Sequence, residues 1–174
     1  MKSFKKLYSE DLYRYQGNIS FYVKRFHYLF RKCQTSKGIM KKGYRFLFRI
    51  HCNRRGLEIS SKTAIVEGLY VGHAYNITVN GDAKIGKNCN LHKGVTIGQE
   101  NRGERKGVPV IGDQVWIGIN AAIVGAVKIG SDVLIAPNAY VNRDIPDHSV
   151  VFGNPCIVKH RENATEAYIH HRVE

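Results

Sequence analysis

A period of six residues constrains this chain more than any other feature. From Ile111 it reads IGDQVW, IGINAA, IVGAVK, IGSDVL, IAPNAY, VNRDIP. The first column holds Ile111, Ile117, Ile123, Ile129, Ile135 and Val141, and the fifth holds Val115, Ala121, Val127, Val133 and Ala139. The same phase appears upstream at Val79, Ile85 and Leu91, with Ala83, Cys89 and Val95 in the fifth column. An amphipathic helix needs apolar residues spaced by three and four, and a sandwich strand alternates with period two. One aliphatic and one small residue in every six suits short strands around a narrow core. Glycine after the aliphatic residue, as at Ile85-Gly86, Ile117-Gly118 and Ile129-Gly130, permits the turns between them.

Composition divides the chain. Of 174 residues, the first 56 hold 15 Lys and Arg against Glu10 and Asp11 alone, which accounts for the whole net charge of +13. The same stretch holds 12 of the 18 aromatic residues. The expected organisation is a basic, aromatic helical segment over 1–56, a repeat domain over 57–160 and a tail with a short helix over 161–174.

Breaks in a regular repeat are where function is expected. The step from Val71 to Val79 is eight residues and contains His73. The step from Ile97 to Ile111 is fourteen and contains the charged loop QENRGERKGV, residues 99–108. If three sixes make one coil, Val71 and Leu91 lie on one side, one coil apart. His73 and His92 then fall on neighbouring rungs about 5 Å apart, and the loop is expected to converge on them.

The pattern [LIV]-Gly-x-x-[small]-x resembles the hexapeptide-repeat acyltransferases over roughly residues 57–160. The stretch GLYVGHAYNITVNGDAKIG, the loop after Val95-Thr96-Ile97-Gly98 and the closing Gly153-Asn154-Pro155 are similar to the serine acetyltransferase branch, which includes sugar and polysaccharide O-acetyltransferases. The resemblance implies a mainly β fold, a left-handed parallel β-helix, assembled as a homotrimer. It implies acetyl-CoA as co-substrate, bound in a groove between two subunits. Transfer of acetyl to a hydroxyl requires a base for the hydroxyl proton, which a neutral imidazole suits. A carboxylate on the other ring nitrogen fixes the tautomer. His73 aligns with the family's general base and Glu58 with the acid that orients it. His92, Tyr75 and Asn76 are candidate acceptor-binding residues, and His92 is an alternative base. By the same resemblance Gly118, Ile119, Ala136 and Pro137 line coenzyme A, with Lys159 a phosphate partner. Metal is not expected, because no third histidine stands between positions 93 and 147.

Substitutions at two places separate the chain from the serine branch. Gly72 stands where that branch has Asp before the base, and Gly107-Val108-Pro109 where it has Arg-His-Pro. The 56 residues before the repeat are also fewer than that branch's all-helical domain. These differences favour a saccharide hydroxyl on a surface or capsular polysaccharide precursor, with L-serine as the alternative acceptor. A non-catalytic β-helix scaffold and a membrane-surface adaptor are readings of another class.

In the basic front, Ser9-Glu10-Asp11 reads as a helix start, Asn18-Ile19-Ser20 as a second, and Ile39 to Phe48 as part of a third helix. Its aromatics either cap the β-helix or a subunit contact, or press on an anionic membrane surface. Nucleic-acid binding is not expected, because no recognisable module is present. Four well-separated cysteines, no apolar leader and no apolar run of roughly 18 residues point to a cytoplasmic protein, with peripheral membrane contact as an option.

Overall fold

The computed structural model describes residues 2–174. Three helices come first: α1 (Phe4–Tyr13), α2 (Phe21–Thr35) and α3 (Gly38–Asn53). Ser20 caps α2 by accepting from the Val23 amide, as expected. The first helix starts earlier than its acidic residues suggest. Ser3 is the cap, accepting from the Lys6 amide, and Asp11 lies buried near the other end. On α2 the buried positions Val23, Phe26, Phe30 and Cys33 follow helical spacing. Phe26 and Phe30 pack on Phe48 of α3, with ring centroids 5.4 and 5.7 Å apart. The aromatics of the front are therefore largely core.

From residue 58 the chain winds as a three-sided parallel β-helix. One face is built from β1 (Glu58–Ile59), β4 (Thr78–Val79), β7 (Thr96–Gly98), β10 (Ala122–Val124) and β13 (Tyr140–Val141). The second carries β2 (Ala64–Ile65), β5 (Lys84–Ile85), β8 (Val110–Ile111) and β11 (Lys128–Ile129). The third carries β3 (Tyr70–Gly72), β6 (Asn90–His92), β9 (Val115–Ile117), β12 (Val133–Ile135), β14 (Ser149–Phe152) and β15 (Ile157–His160). All neighbours run parallel except β15, which turns back antiparallel on β14 after Gly153-Asn154-Pro155 and closes that sheet. Both columns of the sequence period are buried, from Val79 at 3% exposure to Val141 at 0%. One apolar cluster joins this core to that of the helices.

A buried polar network clamps the helices to the first coil. The Arg31 guanidinium donates to both Asp11 oxygens, at 2.7 and 2.9 Å, and to the Ile65 and Val66 carbonyls, each at 2.8 Å. The Leu69 amide donates to Asp11 Oδ1. Because the ionised carboxylate only accepts, His27 donates to it through Nδ1 at 3.2 Å. Its Nε2 then accepts from the Tyr15 hydroxyl at 2.9 Å, and that hydroxyl accepts from the Val71 amide at 2.6 Å. Burial opposes ionisation of Asp11, but Arg31 and His27 outweigh it and hold the carboxyl below its ordinary value.

The tail corrects one expectation. Residues 162–168 form successive turns, not a helix. Asp132 accepts from the Ala164 and Thr165 amides at 2.9 and 3.0 Å, and from the Thr165 hydroxyl at 2.7 Å. A fixed carboxylate thereby offers those amides partners other than helical carbonyls. The tail returns along the third face, where the Val173 amide donates to Asn88 Oδ1 at 2.9 Å.

Candidate active site

Most of the sequence candidates lie along one edge of the prism, where the third face turns into the first. The register pairs Gly72 with His92, Leu91 with Ile117, Ile117 with Ile135 and Ile135 with Val151. Carried one residue on, it stacks Gly72, His92, Gly118, Ala136 and Phe152 in a column, with His73, Lys93, Ile119, Pro137 and Gly153 beside it. Rungs are about 4.8 Å apart, so the column from His73 to Pro137 rises about 14 Å.

His73 is exposed and has φ 52°, the left-handed region. Every coil has one left-handed residue lower in this corner: Asn76, Gly94, Asn120 and Asn138. Each but the first donates its amide to the coil below, as Gly94 does to the Tyr75 carbonyl at 3.1 Å. His73 is an additional one, and it is how the two extra residues of the first step are absorbed. The imidazole thus projects from a corner no other coil reproduces. Tyr75 and Asn76 are exposed in the same turn, whose Asn76 amide donates to the Arg55 carbonyl at 2.9 Å. Glu58 is exposed on β1, paired with Thr78, the strand that the His73 turn enters.

His92 faces Gly72, on the rung next to that of His73. Its Nε2 is shielded from solvent and has no hydrogen-bond partner among the described residues. Burial pushes its pKa down to about 4, and the neighbouring His73 adds in the same direction. It therefore stays neutral at physiological pH, a weak base beside a freely exposed one. Its ring lies 4.8 Å from Trp116 and 6.2 Å from Tyr70 in a cleft of about 280 Å³ on the third face. A Cβ on Gly72 would sit 2.5 Å from His92 Nδ1. The imidazole occupies the space into which a side chain at 72 would grow.

Of the coenzyme candidates, Gly118 is accounted for by packing. It is buried, and a Cβ there would strike the Pro137 nitrogen at 2.6 Å and the Ile135 carbonyl at 2.9 Å of the next coil. Ile119 and Pro137 reach the surface, and Ala136 is half-buried. Lys159 is exposed on β15, its Nζ 5.8 Å from the Phe152 ring at the top of the same edge.

The charged loop does not converge on these residues within one chain. It leaves β7 at the opposite edge of the first face, where that face turns into the second. Glu100 and Gly107 exchange amide hydrogen bonds at 3.0 and 2.9 Å, which makes the excursion a hairpin. Coil arithmetic had located the loop by coil and not by edge.

Sequence reasoning missed a groove of about 660 Å³ between α3 and the first coil. Phe48, Leu57 and Ile59 floor it, while Lys42, Arg45, Arg49 and Glu58 line it. The signal was available in the spacing of the three cations along α3. Among the described residues no group of three or more His, Cys, Asp and Glu is placed to hold a metal ion. The four cysteines are unpaired, and burial pushes the Cys52 and Cys89 thiols up to about 12.

A three-sided parallel prism built on a period of six defines the class, the hexapeptide-repeat parallel β-helix. The family model described as bacterial transferase hexapeptide (six repeats) matches residues 109–143. Within that class the chain is similar to serine acetyltransferases. It is 32% identical to that of Helicobacter pylori over 99 residues, which are 57% of this chain and 58% of the relative. It is 34% identical to that of Staphylococcus aureus over 100 residues, 58% of this chain and 47% of the relative. The chain thus spans about half the length of these relatives. The soybean serine acetyltransferase apoenzyme superposes with a TM-score of 0.77 at 24% identity, covering 90% of this chain and 69% of that one. The Neisseria gonorrhoeae serine acetyltransferase in complex with serine superposes at 0.67 with 26% identity, covering 88% and 68%. The fold is the left-handed parallel β-helix that the family resemblance implied.

Proposed function

We propose that the protein is an acetyl-CoA-dependent O-acetyltransferase that works through a ternary complex. His73 accepts the acceptor's hydroxyl proton as the oxygen attacks the thioester carbonyl. The tetrahedral intermediate collapses, the carbon–sulfur bond breaks, and the proton on His73 passes to the departing thiolate. Products are the acetyl ester and coenzyme A, and no group on the protein is acylated. Glu58 orients the imidazole from the neighbouring strand. Coenzyme A runs along the edge above, over Ile119, Ala136 and Pro137, with its phosphates toward Lys159. The observation that carries the reading is the exposed, left-handed His73 at the one irregular corner of an otherwise regular edge.

The assembly is a homotrimer in this reading. The hairpin 99–108 and His73 stand on opposite edges of one face, so a closed cleft requires the hairpin of a neighbouring subunit. Three-fold packing of prisms supplies that arrangement.

L-serine is the acceptor that the names of the relatives support. A saccharide hydroxyl is a second reading, favoured by Gly72: the place of the serine branch's Asp is filled by the neutral His92 ring. Release of coenzyme A is to be followed with L-serine and with a panel of sugars. Preference for L-serine assigns the first reading, preference for a sugar the second, and release with neither overturns the proposal.

For the basic front, contact with an anionic membrane rests on the outer face of α3. Ile39, Met40, Phe46, Leu47 and Ile50 are exposed there among lysines and arginines. Among the described residues no helix is long and apolar enough to cross a membrane. Sedimentation with anionic vesicles at low and high salt tests this, and absence of binding at low salt dismisses it.

A further inference from the structure

The groove between α3 and the first coil holds more positive charge than the fold uses. Lys42, Arg45 and Arg49 recur at helical spacing on one side of α3 and project toward β1. None of the three forms an ion pair or a hydrogen bond with a described residue. Arg45 Nε is shielded from solvent and unpartnered. Elsewhere in the chain the buried cations are fully engaged: Arg31 on Asp11, and Arg14 on the Gly68 and His170 carbonyls and Asn90. Leaving a screened guanidinium donor unmade costs about 1–3 kcal/mol, and three neighbouring cations repel one another. Lys42 and Arg49 are exposed and Arg45 is half-buried, with the Arg49 guanidinium 5.9 Å from the Phe46 ring; a bound anion would pair the Arg45 donor and offset the repulsion among the three.

The groove is also tied to the transfer site. Glu58 is the one acid lining it, and the same residue borders the His73 turn through β1 and β4. Its volume, about 660 Å³, is within the range of ligand pockets, roughly 300–1,000 Å³. Its floor, Phe48, Leu57 and Ile59, is apolar.

We propose that this groove binds the acceptor through an anionic substituent, a phosphate or carboxylate held by Lys42, Arg45 and Arg49, and so presents its hydroxyl toward His73. This rests on the acetyl-transfer reading and adds the acceptor's charge to it. Guanidinium forks match phosphate and carboxylate oxygens in pairs, whereas Lys42 acts as a mobile point charge.

The test is calorimetric titration of the purified protein with inorganic pyrophosphate, glucose 1-phosphate, glucuronate and methyl glucoside, at 50 and 300 mM salt. Binding of the charged probes that weakens with salt, with the methyl glucoside at least tenfold weaker than its charged counterparts, is the expected result. Arg45→Gln combined with Arg49→Gln should weaken the charged probes at least tenfold. Titration with coenzyme A reports the separate edge and serves as the control for folding. Two results overturn the groove: no charged probe binds the wild-type protein while coenzyme A does, or the double variant binds the charged probes as tightly as wild type. Absence of coenzyme A binding in the wild type, with charged probes bound, overturns the transfer reading and leaves the groove standing. A free glycosyl phosphate that binds no better than pyrophosphate identifies the anion alone as the recognised group, and a tighter one adds the apolar floor.

Discussion

At the scale of single residues, the surroundings of His73 and His92 differ in a way their sequence spacing does not show. Burial keeps His92 neutral and weakly basic, while His73 is exposed on a corner of its own. His73→Ala is therefore expected to cut turnover by roughly a hundredfold or more, as loss of a general base does, with coenzyme A binding retained. Turnover within a few-fold of wild type would transfer the role elsewhere. Gly72 and His92 form a second residue-scale pair, since the ring fills the space beside the missing side chain. Gly72→Asp alone should lower the melting temperature, because its Cβ would fall 2.5 Å from His92 Nδ1 and displace the ring. Adding His92→Ala should recover most of that loss and raise the preference for L-serine over sugars. Strictly additive losses in melting temperature would show that the two positions are not coupled.

At the scale of elements, the Asp11–His27–Tyr15 chain ties α1 and α2 to β3 beside the apolar cluster that helices and prism share. Tyr15→Phe strands the Val71 amide and should cost about 1–3 kcal/mol. Asp11→Asn removes the partner of a buried guanidinium and should cost about 3–5 kcal/mol. Both are measurable by urea unfolding. The pH dependence has a definite sign. The folded carboxyl sits below its ordinary value, so its stabilisation is complete above the unfolded value of about 3.9 and disappears as pH falls through the folded value. Acid unfolding of the wild type should therefore steepen below about pH 4, and that steepening should be reduced in Asp11→Asn. Identical acid profiles would remove Asp11 from this role.

At the scale of the whole molecule, the opposite placement of His73 and the 99–108 hairpin on one face leads to a prediction about assembly. A His73→Ala subunit and a subunit lacking residues 101–105 should each be nearly inactive alone. Mixed after denaturation and refolding, they should regain activity, because an intact imidazole then faces an intact hairpin on its neighbour. Failure to regain activity in mixed trimers confirmed by sedimentation would refute the shared cleft.

The period of six determined that short strands stack around a narrow core, and the resemblance to the hexapeptide-repeat family supplied the left-handed, three-sided form. An aliphatic residue at every sixth position with a small one between suits short strands packed around a narrow core, so the columns at Val79 to Val141 were legible before any coordinates. His73 was legible for the same reason, as a break in a regular pattern. Which edge each break occupies was not legible, because counting along the chain gives the coil but the corner depends on how each turn is made. The C-terminal turns and the Asp11 clamp were hidden for a related reason. They join residues dozens of positions apart through single side-chain contacts, which leave no periodic mark in the sequence. Only packing of the helices and tail against the prism brought those partners together.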